Sequence, residues 1–130
     1  MLAADREDET VAASYKPAHP AVLRLIQSTV EAAEAASRPV TICGDMAGDP
    51  FYTELLVGLG LREISVAPGE MLEVKARIRD IDTVIARQLA RRALELGSAT
   101  EVEALLGRGE PERPSIAMAE PSESRGSPPD

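Results

Sequence analysis

Apolar residues recur at three- and four-residue intervals in several stretches of the chain, and two short β-branched runs interrupt them. Val22 or Leu23, Ile26, Val30 and Ala33 form one apolar stripe, which predicts a helix over 21–36 opened by Pro20 and closed by Ser37-Arg38-Pro39. Val40, Thr41 and Ile42 are stiff, branched residues suited to a buried strand. Phe51, Leu55 and Leu59 share a helical face, and Gly58 and Gly60 mark that helix's exit. Residues 62–67 read as a second short strand, broken by Pro68-Gly69. Met71, Leu72, Val74 and Ile78 then supply the face of a helix that starts near Glu70, with Glu73 and Arg77 spaced as an i,i+4 pair. Asp82 is placed to cap the longest downstream helix, over 83–96, through which Ile85, Leu89, Ala93 and Leu96 repeat. The run Thr100 to Glu103 has the spacing of a capping box and predicts a short final helix ending near Leu106.

This order is helix, strand, helix, strand, then helices, which predicts an α/β fold with parallel strands joined by helical crossovers. Two strands cannot give both faces and both edges of the sheet the cover they need. The pattern therefore describes a piece of a larger α/β domain, or a subunit that completes itself with a partner. From Gly107 the composition turns to Gly, Pro, Ser, Glu and Arg, and 107–130 is expected to be a disordered tail.

Composition narrows the chemistry. The 130 residues suffice for one modest domain, and without Trp, and with one Phe and two Tyr, its core must come from Leu, Ile, Val and Ala. A formal charge of -8 disfavours nucleic acid and anionic membranes as partners. No apolar run approaches the roughly 20 residues of a membrane helix, and no signal-peptide pattern opens the chain. The single cysteine excludes an internal disulfide and suits a cytoplasmic protein, and with the single histidine it leaves no Cys/His metal site.

That cysteine, Cys43, follows the first strand and opens the loop Gly44-Asp45-Met46-Ala47-Gly48-Asp49-Pro50. The carboxyl end of a strand is where α/β architectures place their chemistry, and Gly44 and Gly48 permit tight turns or close approach of backbone to a ligand. A free cysteine is as often a small buried hydrophobe. His19, in the Pro-rich turn before the first helix, reads as a surface or cap residue. Asp45 and Asp49 suit turn or helix-start positions as readily as a metal.

The stretch TICGDMAGDP, followed by LLVGLGLREISVAP, resembles the phosphoenolpyruvate-utilising enzymes, most closely Enzyme I of the bacterial sugar phosphotransferase system, in their carboxyl-terminal barrel. The resemblance extends from Leu2, through LAADREDETVAASYKPAHPAVLRLI, to about Leu106. It implies that 1–106 is the carboxyl-terminal portion of a (β/α)8 TIM barrel, roughly its last two strands with flanking and terminal helices. It also implies the activity: phosphoryl transfer from phosphoenolpyruvate to an enzyme histidine and on to HPr, with magnesium. Cys43 matches the family cysteine that protonates the enolpyruvate. Arg6 matches the arginine of an Asp-Arg pair that holds the phosphate, and Gly44 and Asp45 match the loop around the cysteine. Asp45 stands where Enzyme I usually has Glu, and Glu7-Asp8 replace a usual Gly-Asn, which makes the surroundings of Arg6 more acidic. The family's metal-binding carboxylates, its other phosphate-binding arginines and its phosphohistidine domain have no counterpart in these residues. The expectation is thus a fragment inactive by itself, whose partner is the missing barrel portion or a second copy. The alternatives are a non-catalytic docking module or a degenerate remnant.

Overall fold

Pro20 begins the first helix because a missing N–H costs nothing in an opening turn, and His19 caps it, its Nδ1 accepting from the Ala21 amide at 3.1 Å. The structure, a computed structural model, describes residues 16–107. Within them the elements run α1 (Pro20–Ala35), β1 (Thr41–Ile42), α2 (Asp45–Gly48), α3 (Pro50–Gly58), β2 (Glu63–Ile64), α4 (Met71–Arg79), α5 (Thr83–Glu95) and α6 (Ala99–Leu105). The Asp5–Glu9 run, Arg6 within it, and the expected tail from Arg108 onward lie outside the described residues.

β1 and β2 pair in parallel, with Thr41 opposite Glu63 and Ile42 opposite Ile64. Both strands are shorter than the sequence predicts. Among the described residues each has a single neighbour, so the ladder there is carried by one pair of edges. Ile42 and Ile64 are half-buried and pack against the helical core. On the opposite, exposed face the Thr41 hydroxyl donates to the Glu63 carboxylate at 2.7 Å.

α3 is the centre of the helical layer. Tyr52, Leu55 and Leu56 are buried along it, and they meet Leu23 and Val30 of α1, Ala90 and Ala93 of α5 and Val102 of α6 in one core. Leu55, Leu56, Leu23 and Val102 are fully buried, so aliphatic residues do supply most of this core. The turn after α3 passes through Gly60, whose φ of 103° is a conformation L side chains rarely adopt; the Leu61 amide closes it on the Leu56 carbonyl at 3.2 Å.

The principal helix pair is α3 with α5, and small residues make it close. Ala86, Ala90 and Ala93 are the buried stripe of α5. A Cβ placed on Gly58 would stand 2.1 Å from the Ala86 carbonyl oxygen, so the absence of a side chain there sets the spacing. Ala93 of the predicted stripe is buried and Leu96 packs against the core, but in the first turns burial shifts by one residue, to Ala86 and Ala90: Ile85 is 57% exposed. A helix that must approach another's backbone turns its alanines inward, whatever its larger side chains would gain from burial. In α4 only Val74 of the predicted face is buried, and Met71, Leu72 and Ile78 are exposed. Arg77 pairs with Glu54 of α3, not with Glu73, which ties α4 to the central helix. Asp82 caps α5 as expected, accepting from the Val84 and Ile85 amides. The capping box of α6 lies two residues earlier than Thr100 and Glu103: it joins Ser98 and Glu101.

Candidate functional site

Strand alternation decides which way Cys43 points. Ile42 turns toward the helices, so Thr41 and Cys43, one residue to either side, share the opposite face, and both are exposed. Cys43 is thus a free thiol at the carboxyl end of β1, not a buried packing residue.

Gly44 follows with φ 92° and ψ -172°, a region essentially confined to glycine. A Cβ on it would meet nothing within 4 Å, so the requirement is one of backbone conformation rather than of space. This turn lifts the chain off the sheet and starts α2, where the Gly44 carbonyl accepts from the Ala47 and Gly48 amides at 2.9 and 3.2 Å. Asp45 lies in the first turn of α2 and is exposed. Met46, Ala47 and Gly48 are buried beneath the loop, anchoring it. Asp49 ends α2 and caps α3, accepting from the Phe51 amide at 2.9 Å. Neither Asp45 nor Asp49 belongs to a cluster suited to a cation: among the described residues no group of three or more His, Cys, Asp and Glu could hold a metal ion. The described residues do not by themselves fit a magnesium site.

Cys43, Gly44 and Asp45 are consecutive and gathered at one strand end, while Arg6 lies outside the described residues. The sequence reading missed α2, a single turn too short to carry a periodic signal. It also missed the polar character of the exposed sheet face, on which Thr41, Cys43, Glu63 and Ser65 lie exposed. Period-two spacing on both strands could have indicated that face once the register was known. An open groove runs between β2, α3, α4 and α5, and Thr41, Glu63 and Ser65 of the sheet form part of its lining. Val57, Leu61, Val66, Met71, Val74 and Ile78 line it; Cys43 and Gly44 do not. Among the described residues, no helix is long and apolar enough to cross a membrane.

Comparison with known proteins places this strand end in context. A family model described as "PEP-utilising enzyme, PEP-binding domain" matches residues 1–83, a span that includes Arg6, Cys43, Gly44 and Asp45. A multiphosphoryl transfer protein of Xanthomonas campestris pv. campestris is 45% identical over 105 residues, covering 81% of this chain and 12% of the relative. A phosphoenolpyruvate-protein phosphotransferase of Haloferax volcanii is 46% identical over 106 residues, covering 82% of this chain and 19% of the relative. Another, from Cupriavidus necator, is 52% identical over 77 residues, covering 59% of this chain and 13% of the relative. The chain spans less than a fifth of the length of each of these curated relatives.

Proposed function

The chain belongs to the PEP-utilising enzyme family, within its PEP-binding domain, and from that premise we propose that it works as the closing wall of a phosphoenolpyruvate-protein phosphotransferase barrel, in which Cys43 protonates the enolpyruvate. The observation that carries this reading is the exposed thiol at the carboxyl end of β1, followed by a glycine-only turn. Once the phosphoryl group has left, the enolate of pyruvate needs a proton at C3. The Cys43 S–H bond breaks, a C3–H bond forms, the C2 oxygen becomes a ketone, and the thiolate regains its proton from water. A thiol suits the task because in its ordinary state it is protonated at neutral pH. Arg6 holds the phosphate through its planar guanidinium, and Gly44 and Asp45 shape the loop that brings the thiol to the substrate.

The sheet supports the barrel reading. Its two parallel strands carry helices on one face and, at their carboxyl ends, polar residues on the other, where a barrel places its site, and its order leaves both outer edges to be paired among the described residues. The remaining strands, the magnesium ligands, the phosphorylated histidine and the docking site for HPr belong to other parts of the assembly. Phosphoryl transfer depends on positioning and charge stabilisation, so the chain by itself is inactive. A second reading, a docking module without catalysis, draws on the exposed Met71, Leu72, Val84 and Ile85. It differs in that Cys43 would be dispensable.

The test is a graft. The 106-residue stretch of this chain that matches the Haloferax volcanii relative replaces its counterpart there, and pyruvate release from phosphoenolpyruvate is measured. The graft is expected to turn over, and its Cys43→Ala variant to lose pyruvate formation by a factor of about 100 or more, the scale of a lost proton donor. Normal turnover by the variant would overturn the assignment. Unchanged affinity for phosphoenolpyruvate in Arg6→Ala would remove Arg6 from the site.

A further inference from the structure

Backbone groups alternate sides along a strand, and the register of β1 against β2 fixes which of them stay unpaired. The Ser65 amide donates to the Ile42 carbonyl at 2.8 Å, so on β2 the backbone of Glu63 and the amide of Ser65 face β1. The N–H and C=O of Ile64 and the amide of Val66 face the other way, where no strand lies among the described residues. That outer edge borders the open groove, whose lining takes in every residue from Arg62 to Val66. Val57 and Leu61 line it from α3, and Met71, Val74, Lys75 and Ile78 line it from α4, spaced as one helical stripe. Unpaired strand backbone beside apolar side chains is the arrangement that accepts an extended segment by strand addition.

Charge narrows the occupant. Arg62, Lys75 and Arg87 line the groove against one carboxylate, Glu63, which already accepts from the Thr41 hydroxyl, in a chain whose formal charge is -8. Arg62 donates to the Val57 and Leu61 carbonyls at 3.4 and 2.9 Å. Lys75 and Arg87 have no hydrogen bond or ion pair among the described residues, and neither has a carboxylate three or four places away on its helix. A second copy set edge to edge on this groove would bring two such sets of cations together, which disfavours it.

We propose that the outer edge of β2 receives an extended acidic segment of the remaining enzyme. It pairs with the Ile64 and Val66 backbone, turns apolar side chains to Val74 and Ile78, and turns a carboxylate to Lys75 and Arg87. The inference rests on the reading of this chain as one wall of a larger barrel, and adds the chemistry of the strand that adjoins it at β2.

The test compares amide hydrogen exchange in the full 130-residue chain and in the Haloferax volcanii graft. The Ile64 and Val66 amides are expected to exchange at least about tenfold more slowly in the graft. Val66→Pro removes one outward N–H and keeps the bond from Ser65 to Ile42, a change that an edge strand tolerates. It is expected to lower the urea midpoint of the graft and not that of the chain by itself. Lys75→Glu and Arg87→Glu are expected to do the same. Exchange at Ile64 and Val66 as fast in the graft as in the isolated chain overturns the proposal, whatever the other amides do. So does slow exchange already present in the isolated chain: independent of concentration it would mean a terminal segment of the same chain on the edge, and rising with concentration a second copy. Charge reversals that leave the graft unchanged overturn the choice of an acidic occupant. Failure of the proton-donor reading shows separately, as normal turnover by the Cys43→Ala graft, and leaves the exchange rates where they are.

Discussion

Gly58 shows how much can depend on the absence of a side chain. The backbone carbonyl of Ala86 occupies the space that a Cβ on Gly58 would need, and backbone of a packed helix cannot step aside as a side-chain end can. Gly58→Ala is therefore expected to lower stability by about 1–3 kcal/mol, the range for overpacking, despite the better helix propensity of alanine. Gly48→Ala makes the contrast: the three atoms nearest a Cβ there all belong to the carboxylate end of Glu70, which can swing into solvent, so its urea midpoint is expected to stay nearer the parent's. Equal shifts for the two variants would refute the distinction. The sequence marks Gly58 as a helix exit and no more, because a residue without a side chain leaves no trace of its neighbour. Cys43 was legible for the opposite reason. A thiol between a β-branched run and a glycine loop has few local conformations open to it, and alternation then fixes its face. Ile64 and Val66 were not legible as edge residues, since only the register of β1 against β2 sets which backbone groups face outward.

At the scale of elements, caps were read well where only one frame fitted and misread where two did. Asp82 had no competitor. The sequence Ser98-Ala99-Thr100-Glu101-Val102-Glu103 contains two overlapping candidates, Ser98 with Glu101 and Thr100 with Glu103. Burial selects the first: a helix beginning at Ala99 sets Ala99 and Val102 on one face, and both are buried. The Ser98 oxygen accepts from the Glu101 amide at 3.3 Å, while Glu101 accepts from the Gly97 and Ser98 amides at 2.8 and 3.2 Å. Ser98→Ala is expected to cost about 1 kcal/mol, and Thr100→Ala, at an exposed position within the helix, less than about 0.5 kcal/mol. Chemical denaturation of both variants checks this, and a larger loss in Thr100→Ala would show the box to be misassigned. The same competition explains α5, whose apolar period was clear although the direction it faces was not. Periodicity states that a stripe exists, and the partner helix decides which of two adjacent stripes is buried.

The whole described region combines a well-packed helical side with an unfinished sheet side. Leu55, Leu56, Leu23 and Val102 are sealed, whereas Leu72 is 78% exposed and Met71, Val84 and Ile85 are each more than half exposed. The parallel strands end after one neighbour each, and their outer edges present unpaired backbone groups. Parallel sheets are ordinarily covered on both faces, and the described residues cover this one on one face. Such a structure keeps secondary structure more readily than it keeps a high free energy of unfolding. A small core of this kind supplies only about 3–5 kcal/mol, so the isolated chain is expected to unfold in urea below about 4 M, given a slope of about 1.3 kcal/mol per M. It is also expected to bind a dye for apolar surface while folded, since Met71, Leu72, Ile78, Val84 and Ile85 are exposed among the described residues. Within the grafted relative, the same residues are expected to lose that dye binding as the adjoining wall covers them. A cooperative transition well above 4 M urea, with no dye bound, would instead identify the chain as complete in itself and remove the physical reason for assigning it to a larger barrel.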